Sequence, residues 1–121
     1  MRIAPPPRLP RPPSATPNGW LTHVPNGARI TVAGLVLVRQ RPGTAKGVIF
    51  ITLEDETGVC NVVCWKSLYE KYRRAVIAGR LLRVTGKMER QSGVEHIIAE
   101  HIEDISPLLD TLLLEASEAR S

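Results

Sequence analysis

Three basic side chains lie close together in one segment of the sequence, with no acidic residue beside them. Arg39, Arg41 and Lys46 occur in the stretch RQRPGTAKG, between two apolar segments. Guanidinium and ammonium groups bind phosphate oxygens, and Gly43 and Gly47 would let the backbone approach such a ligand closely. The segment is therefore a candidate for holding a phosphate backbone without regard to base sequence. The alternative is an ordinary soluble loop that happens to be basic.

Charge is also sorted along the whole chain. The 121 residues carry a formal net charge of +4. Residues 1–53 contain seven basic and no acidic residues, and residues 66–90 contain eight basic and two acidic ones. After residue 90 there are seven acidic residues and one basic residue. A surface that serves only solubility mixes its signs, so the sorting indicates a basic face for an anionic partner such as nucleic acid.

Aromatic side chains make up only 4% of the residues, so each can be considered individually. Phe50 is the only phenylalanine and lies in an aliphatic strand. It is either part of the core or a platform on which a base stacks. Thr52 shares its face, because side chains alternate along a strand. Trp65 ends the following strand and is expected to be a lid on the barrel, with a second platform as the alternative.

The cysteines and histidines do not predict a metal site. Cys60 and Cys64 share one face of a predicted strand, about 13 Å apart, which is beyond the reach of a disulfide, and both are expected to be buried. His96 and His101 are five residues apart on one strand, so we expect them to face opposite sides and assign them no role. Two cysteines and three scattered histidines do not make a zinc site, and no cofactor is predicted.

The elements that must position these residues are mostly strands. Alternation of apolar and polar residues, bounded by turn residues, predicts five strands. They cover residues 29–40, 48–55, 59–65, 80–90 and 94–105. Gly34 interrupts the long first strand, where we expect a bulge or a sharp bend.

Two helices complete the pattern. Residues 67–78 predict one helix between strands 3 and 4, with Ser67 and Glu70 at capping-box spacing and Gly79 as the C-cap. Ser106 and Pro107 open a short C-terminal helix. Three strands, a helix and two strands is the order of the OB-fold, so the predicted class is all-β, a five-stranded OB-fold Greek-key barrel.

The chain divides into three parts. Residues 1–17 hold seven of the ten prolines and are predicted to be a disordered, polyproline-like tail or linker. Residues 18–109 are predicted to be the nucleic-acid-binding domain, and residues 110–121 a C-terminal helix and tail. No apolar run approaches the roughly 20 residues of a membrane helix, and the N-terminus lacks the apolar core of a signal peptide. We therefore expect a cytoplasmic protein that has no membrane partner.

The run from Val32 to Trp65, with residues 67–74 and 79–109, closely resembles the C-terminal OB domain of bacterial error-prone DNA polymerase. That family is related to the replicative polymerase III alpha subunit. The resemblance covers about residues 25–109 and is most specific in RQRPGTAKG. It implies a module of damage-tolerant DNA synthesis. The chain lacks the palm carboxylates and the phosphoesterase-like domain of the polymerases, so we expect a non-catalytic protein, either free-standing or a terminal fragment.

A more distant resemblance concerns the second strand. The residues from Phe50 to Asp55, with Gly58, are similar to the anticodon-binding OB domains of class II aminoacyl-tRNA synthetases. In those domains a base stacks at the position of Phe50, and an arginine usually stands where this chain has Glu54. The resemblance implies a stacking role for Phe50 more strongly than it implies anticodon recognition.

OB-folds bind oligonucleotides on strands 2 and 3, between the loop after strand 1 and the loop joining strands 4 and 5. The fourth strand presents Arg83 and Lys87 on its polar side, and Arg90 flanks the second loop. Cations of the central helix are expected to be solvated charges far from the groove. The predicted nucleic-acid-binding residues are Arg39, Arg41, Lys46, Phe50, Thr52, Arg83, Lys87 and Arg90.

The predicted function is binding of single-stranded DNA without strong sequence preference. An alternative is a protein-interaction module that docks a polymerase or an accessory subunit, because the C-terminal third is acidic and ends in the leucine-rich stretch PLLDTLLLEA. A third alternative, from the synthetase resemblance, is a tRNA-binding module.

Overall fold

The computed structural model describes residues 15–41, 47–111 and 114. Its five strands form a closed barrel in the order β1-β2-β3-β5-β4, which is the predicted OB-fold. The elements are a 3-10 helix η1 (Asn18–His23), β1 (Arg29–Gln40), β2 (Ile49–Asp55), β3 (Gly58–Cys64), α1 (Lys66–Lys71), α2 (Arg73–Ala78), β4 (Leu81–Gln91) and β5 (Val94–Asp104). A last helical segment occupies residues 106–111.

The barrel interior is filled by alternate residues of each strand. The period of two places one face of every strand inside a closed wall, so the apolar residues of that face are removed from water together. Both cysteines are buried there, as predicted. Burial raises the pKa of the Cys60 thiol to about 12 and that of Cys64 to about 11. Both thiols are therefore protonated at neutral pH and act as small apolar groups.

The first strand is shared by the two halves of the barrel. It pairs with β4 from Arg29 to Leu35 and with β2 from Leu35 to Gln40. Gly34 lies where β1 passes from one partner to the other, and a Cβ at this position would stand 2.6 Å from the carbonyl oxygen of Glu54. The register irregularity itself falls later, between Val36 and Val38. Of the two alternatives predicted at Gly34, a bulge or a sharp bend, the bulge is therefore wrong at this position, where the glycine instead allows a close approach of strands.

The structure has two short helices, α1 and α2, where the sequence predicts one. The helix is interrupted at Tyr72, whose backbone angles are φ −116° and ψ 33°. The N-cap of α1 is Trp65 and not the predicted Ser67, and Trp65 makes no side-chain capping hydrogen bond. The apolar face is as predicted, since Tyr69, Tyr72 and Val76 pack against the barrel core. Burial of these side chains holds both helices in place, although each is too short to be stable alone.

The prediction that His96 and His101 face opposite sides is also wrong. The partner of Thr85 is His101 and that of Gly86 is Ala99, so Glu100 is an extra residue on β5. Such a bulge shifts the alternation by one position. Both histidines therefore project from the outer wall, and the hydroxyl of Tyr72 lies 2.6 Å from Nδ1 of His101.

Packing begins before the predicted domain boundary at residue 18. Ala15 is buried, and the amide of Thr16 donates to the carbonyl of Thr31 over 2.7 Å. The buried Asn18 side chain donates to the carbonyls of Leu53 and Gly58, 3.2 Å away in both cases. These contacts attach η1 to the β2–β3 hairpin. The remainder of the predicted proline-rich tail, residues 1–14, lies outside the described residues.

Candidate nucleic-acid interface

Strand register aligns outward-facing residues in rows across the barrel wall. Residues paired across neighbouring strands point to the same side of the sheet, and the outer side is identified by the buried residues between them. The first row, from β1 through β2, β3 and β5 to β4, is Gln40, Phe50, Val63, Ile98 and Lys87. The second row is Val38, Thr52, Asn61, His96 and Glu89.

Phe50 lies on the outside of the barrel and is half-buried. Its neighbours Ile49 and Ile51 are the residues that enter the core. Val63, opposite Phe50, is only 7% exposed although it is not part of the barrel core cluster, so this part of the outer wall is an apolar stripe. Phe50 is therefore not part of the barrel core, and its role as a platform for a base stays a prediction.

Both ends of the basic segment contact the first helix. The guanidinium carbon of Arg41 lies 5.0 Å from the centroid of the Tyr69 ring, and that of Arg73 lies 5.5 Å from the same centroid. A Cβ at Gly47 (φ +65°) would stand 3.1 Å from Cβ of Lys66. The expectation that the cations on the exposed side of the predicted helix lie far from the basic segment is therefore wrong for Arg73, which shares the Tyr69 ring with Arg41. Lys66, which precedes the predicted helix, lies beside Gly47.

Lys46 belongs to residues 42–46, which lie outside the described part of the chain. Its assignment to a phosphate contact therefore stays a prediction from the sequence. The two residues that bracket this segment, Arg41 and Gly47, are placed by their contacts with α1.

Trp65 is not a lid on the barrel. Its side chain is 46% exposed, and it is absent from the barrel core cluster. The residue before it, Cys64, is fully buried, so the alternation of β3 directs Trp65 outward. The expectation fails because Leu68, Tyr69 and Tyr72 of the following helices cover the core at this end instead.

Arg39 makes structural hydrogen bonds at the end of the barrel that α1 and α2 cover. Its Nε donates to the carbonyl of Val76 over 2.5 Å, and its Nη2 donates to the carbonyl of Gly79. These carbonyls belong to the end of α2, where backbone acceptors lack partners within the helix. Partial burial lowers the pKa of Arg39, an effect opposed by the charge of Asp104. The guanidinium is thus directed at the helix end and not at the outer rows.

Arg90 makes structural hydrogen bonds at the end of the barrel where η1 lies. Its Nη2 donates to the carbonyls of Leu21 and Val24 over 3.1 and 2.9 Å. The same group lies 2.7 Å from a carboxylate oxygen of Glu95, and Nε donates to that oxygen as well. One guanidinium therefore fastens η1 to the β4–β5 hairpin, which leaves it poorly placed to receive a phosphate.

We expect Arg90→Met to lower the free energy of unfolding by roughly 1–2 kcal/mol, because hydrogen bonds from a charged donor to partly buried carbonyls are lost. Urea denaturation measures this change. Arg80→Met is the matched control: its partner Asp110 and Arg80 itself are more than half exposed, so a loss below about 0.5 kcal/mol is expected. Equal losses in the two variants would contradict the structural role of Arg90.

The remaining predicted cations divide between two sides of the barrel. Arg83 contacts the carboxylate of Glu103 over 3.1 Å on the outer wall of β4 and β5, and its other strand neighbour is Ala33 of β1. Lys87 is exposed at the end of the first row.

Thr52 is in the second row, where its hydroxyl lies 3.5 Å from the amide oxygen of Asn61.

Positive charge on this face decreases from the first row to the second row. The first row ends in Lys87 and begins next to Arg41, whereas the second row ends in Glu89. Glu54 follows Thr52 on the outer side of β2 and is exposed. The positive charge of this face therefore lies at the end nearest Arg41, and the acidic side chains lie at the other end.

Residues 15–41 and 47–111 contain no group of three or more histidine, cysteine or acidic side chains arranged to hold a metal ion. In the same part of the chain, no helix has the length and apolar character required to cross a membrane.

The chain is similar in sequence to part of several error-prone DNA polymerases. The chain is 54% identical over 96 residues to error-prone DNA polymerase 1 of Rhizobium meliloti and 58% identical over 100 residues to error-prone DNA polymerase of Ruegeria pomeroyi. These alignments cover 79% and 83% of this chain. The chain spans only 9% of the length of each polymerase.

A solved structure and a family model agree with the barrel topology. Asparaginyl-tRNA synthetase from Pyrococcus horikoshii superposes with a TM-score of 0.57 and 26% identity, over 66% of this chain and 20% of the synthetase chain. The model described as OB-fold nucleic acid binding domain matches residues 30–105, which span the barrel from β1 to the end of β5. The chain therefore belongs to the family of OB-fold nucleic acid binding domains.

Proposed function

We propose that the protein binds single-stranded DNA through the outer face of β2 and β3. The observation that carries this proposal is the position of Phe50, which lies on the outer wall in a row that begins beside Arg41 and ends at Lys87. An accessible ring between cations is the arrangement by which OB-folds hold single strands. A duplex hides its bases in a stack, so a ring on the protein surface favours the single strand.

Phosphate contacts come from the basic end of the face. Arg41 follows Gln40, where the first row begins, and Lys87 ends that row. Lys46 is added to the proposed site from the sequence prediction alone. Thr52 and Asn61 offer neutral hydrogen-bonding groups in the second row. We leave Arg39, Arg83 and Arg90 out of the proposed site, because their guanidiniums contact groups of the barrel itself.

The relatives indicate the setting in which such binding would be used. A domain that corresponds to 9% of an error-prone DNA polymerase could hold the single-stranded template while a separate catalytic domain copies it. In this proposal the chain contributes binding to damage-tolerant DNA synthesis, without a catalytic step of its own.

A second candidate function is docking of another protein. It is favoured by large apolar side chains exposed near the β1 irregularity and on α2, namely Leu37, Val38 and Ile77, which are 49%, 44% and 53% exposed. An RNA ligand is a third candidate, supported by the likeness to a tRNA synthetase. The experiment below separates all three.

Replacing Arg41 and Lys46 together by alanine should weaken binding of all single-stranded sequences by a similar factor. It should also reduce the slope of log K against log salt by up to about 1.4, or about 0.7 for each lost phosphate contact. Fluorescence anisotropy with a labelled oligonucleotide measures both quantities. For the unmodified protein we expect a dissociation constant of roughly 1–100 µM, typical of binding without base readout, and weaker binding of the duplex.

The matched control removes the same charge from another part of the barrel. Arg80→Ala with Arg83→Ala eliminates two cations that contact Asp110 and Glu103, and it should leave the salt slope unchanged. A loop variant with the affinity and slope of the unmodified protein would contradict the proposal and favour protein docking. Tighter binding of an RNA oligonucleotide of the same sequence would favour the RNA-binding alternative, since only RNA presents 2′-hydroxyl groups.

A further inference from the structure

An exposed ring, Trp65, lies on the same face as the half-buried Phe50. Trp65 follows β3 in an extended conformation (φ −74°, ψ 156°). Phe50 pairs with Val63, and Trp65 is two residues beyond Val63 on the same side of the strand. Diagonal neighbours of this kind are separated by about 7–8 Å. The two rings are therefore adjacent positions on one surface.

Basic residues lie on the segments that adjoin Trp65. Lys66 comes directly after Trp65, and its side chain packs beside Gly47, where the basic segment returns to β2. Arg41, at the other end of that segment, lies over Tyr69 in the same helix that Trp65 precedes. An apolar ring flanked by cations can contact a base and its phosphate together, whereas a partner without negative charge gains nothing from those cations.

We propose that Trp65 is a second base-stacking platform, which holds one unstacked base while Phe50 holds its neighbour, with Lys66 contacting the intervening backbone. This inference rests on the proposed function and assigns it a two-base footprint at the basic end of the face. The two strand positions are diagonal neighbours, which stand about 7–8 Å apart, roughly twice the ~3.4 Å rise per nucleotide of one duplex strand. Bases on the two rings must therefore be pulled out of their mutual stack.

That separation has a consequence for the preferred sequence. Purine runs stack on themselves more strongly than thymine runs, so separating their bases costs more. We expect oligo(dT) to bind more tightly than oligo(dA) of equal length, a modest preference that arises from stacking and backbone flexibility and not from base-edge readout.

Tryptophan fluorescence tests the platform directly, because the chain has two tryptophans. In Trp20→Phe, Trp65 is the only tryptophan, and its emission should be quenched as oligo(dT) binds, with the same saturation curve as anisotropy. In Trp65→Phe, Trp20 of η1 is the only tryptophan and reports quenching unrelated to the proposed platform. Trp65→Leu should weaken binding by about 5- to 150-fold, whereas Trp65→Phe, which keeps a ring, should lose much less.

Folding of the leucine variant is checked separately by its melting temperature. Trp65 makes no side-chain capping hydrogen bond to α1, so the temperature should change little. If oligo(dT) binds and Phe50→Leu weakens it, while Trp65 emission and Trp65→Leu affinity are unchanged, the second platform is overturned and the proposed function stands. If no single strand binds at all, both are overturned.

Discussion

Phe50→Leu should weaken binding of a single-stranded oligonucleotide by about 5- to 150-fold, which corresponds to the ~1–3 kcal/mol that one stacked base contributes. The salt slope should stay the same, because stacking of a base on a ring releases no counterions. Leucine keeps the apolar contact with the stripe that contains Val63, so the free energy of unfolding should change by less than about 1.5 kcal/mol.

The outcome is measured by anisotropy at several salt concentrations together with thermal melting. Phe50→Tyr is the matched control, since it retains a ring of nearly the same size and should keep most of the affinity. A marked fall in melting temperature with unaltered affinity of the folded protein would show that Phe50 acts in packing alone. In that case the sequence-based alternative, a structural phenylalanine, would be the correct one.

Gly86→Ala should destabilise the barrel by about 3 kcal/mol, the upper end of the range for overpacked sites. A Cβ at Gly86 would stand 2.2 Å from the carbonyl oxygen of Ile98 and 2.8 Å from its carbonyl carbon. These are backbone atoms of the neighbouring strand, which cannot move without disturbing the β4–β5 ladder. Urea denaturation, or loss of a cooperative transition, measures the effect.

Gly93→Ala is the control for this prediction. Gly93 has φ +77°, yet no heavy atom lies within 4 Å of the added Cβ, so only the cost of a left-handed backbone remains, about 1–2 kcal/mol. The two glycine-to-alanine variants therefore compare the destabilisation caused by a steric contact, at Gly86, with that caused by backbone strain, at Gly93. If Gly86→Ala is no more destabilising than Gly93→Ala, the close approach of β5 at Gly86 is contradicted.

Local pattern was sufficient for the order and approximate limits of the strands. Alternation over residues such as Ile49, Ile51 and Leu53 depends on nearest neighbours in sequence, and a strand repeats every two residues wherever it lies. The turn at Gly93 and the buried positions of Cys60 and Cys64 follow from the same local rules. The sorted charge also needed only the sequence, because the residues concerned are consecutive along the chain.

Pattern reasoning failed where an extra residue or a distant partner decides the result. His101 is five positions after His96, which predicts opposite faces, but the bulge at Glu100 places both histidines on the same face. Whether a strand bulges depends on its partner strand, here at Gly86, and not on its own alternation. The helix break at Tyr72 could not be read from the helical periodicity either, because Tyr69 of α1 and Val76 of α2 both reach the core on the predicted apolar face.

By itself, the sequence determined the barrel class, the aliphatic core and a basic segment between β1 and β2. Only the tertiary structure decided which cations and rings share a surface. Arg90 donates to the carbonyl of Leu21, 69 residues away, and Arg39 donates to that of Val76, 37 residues away. The sequence does not show whether a charged side chain donates to a backbone carbonyl or is solvated by water. Its role depends on which acceptors the closed barrel brings within hydrogen-bonding distance, and that is a property of strand register.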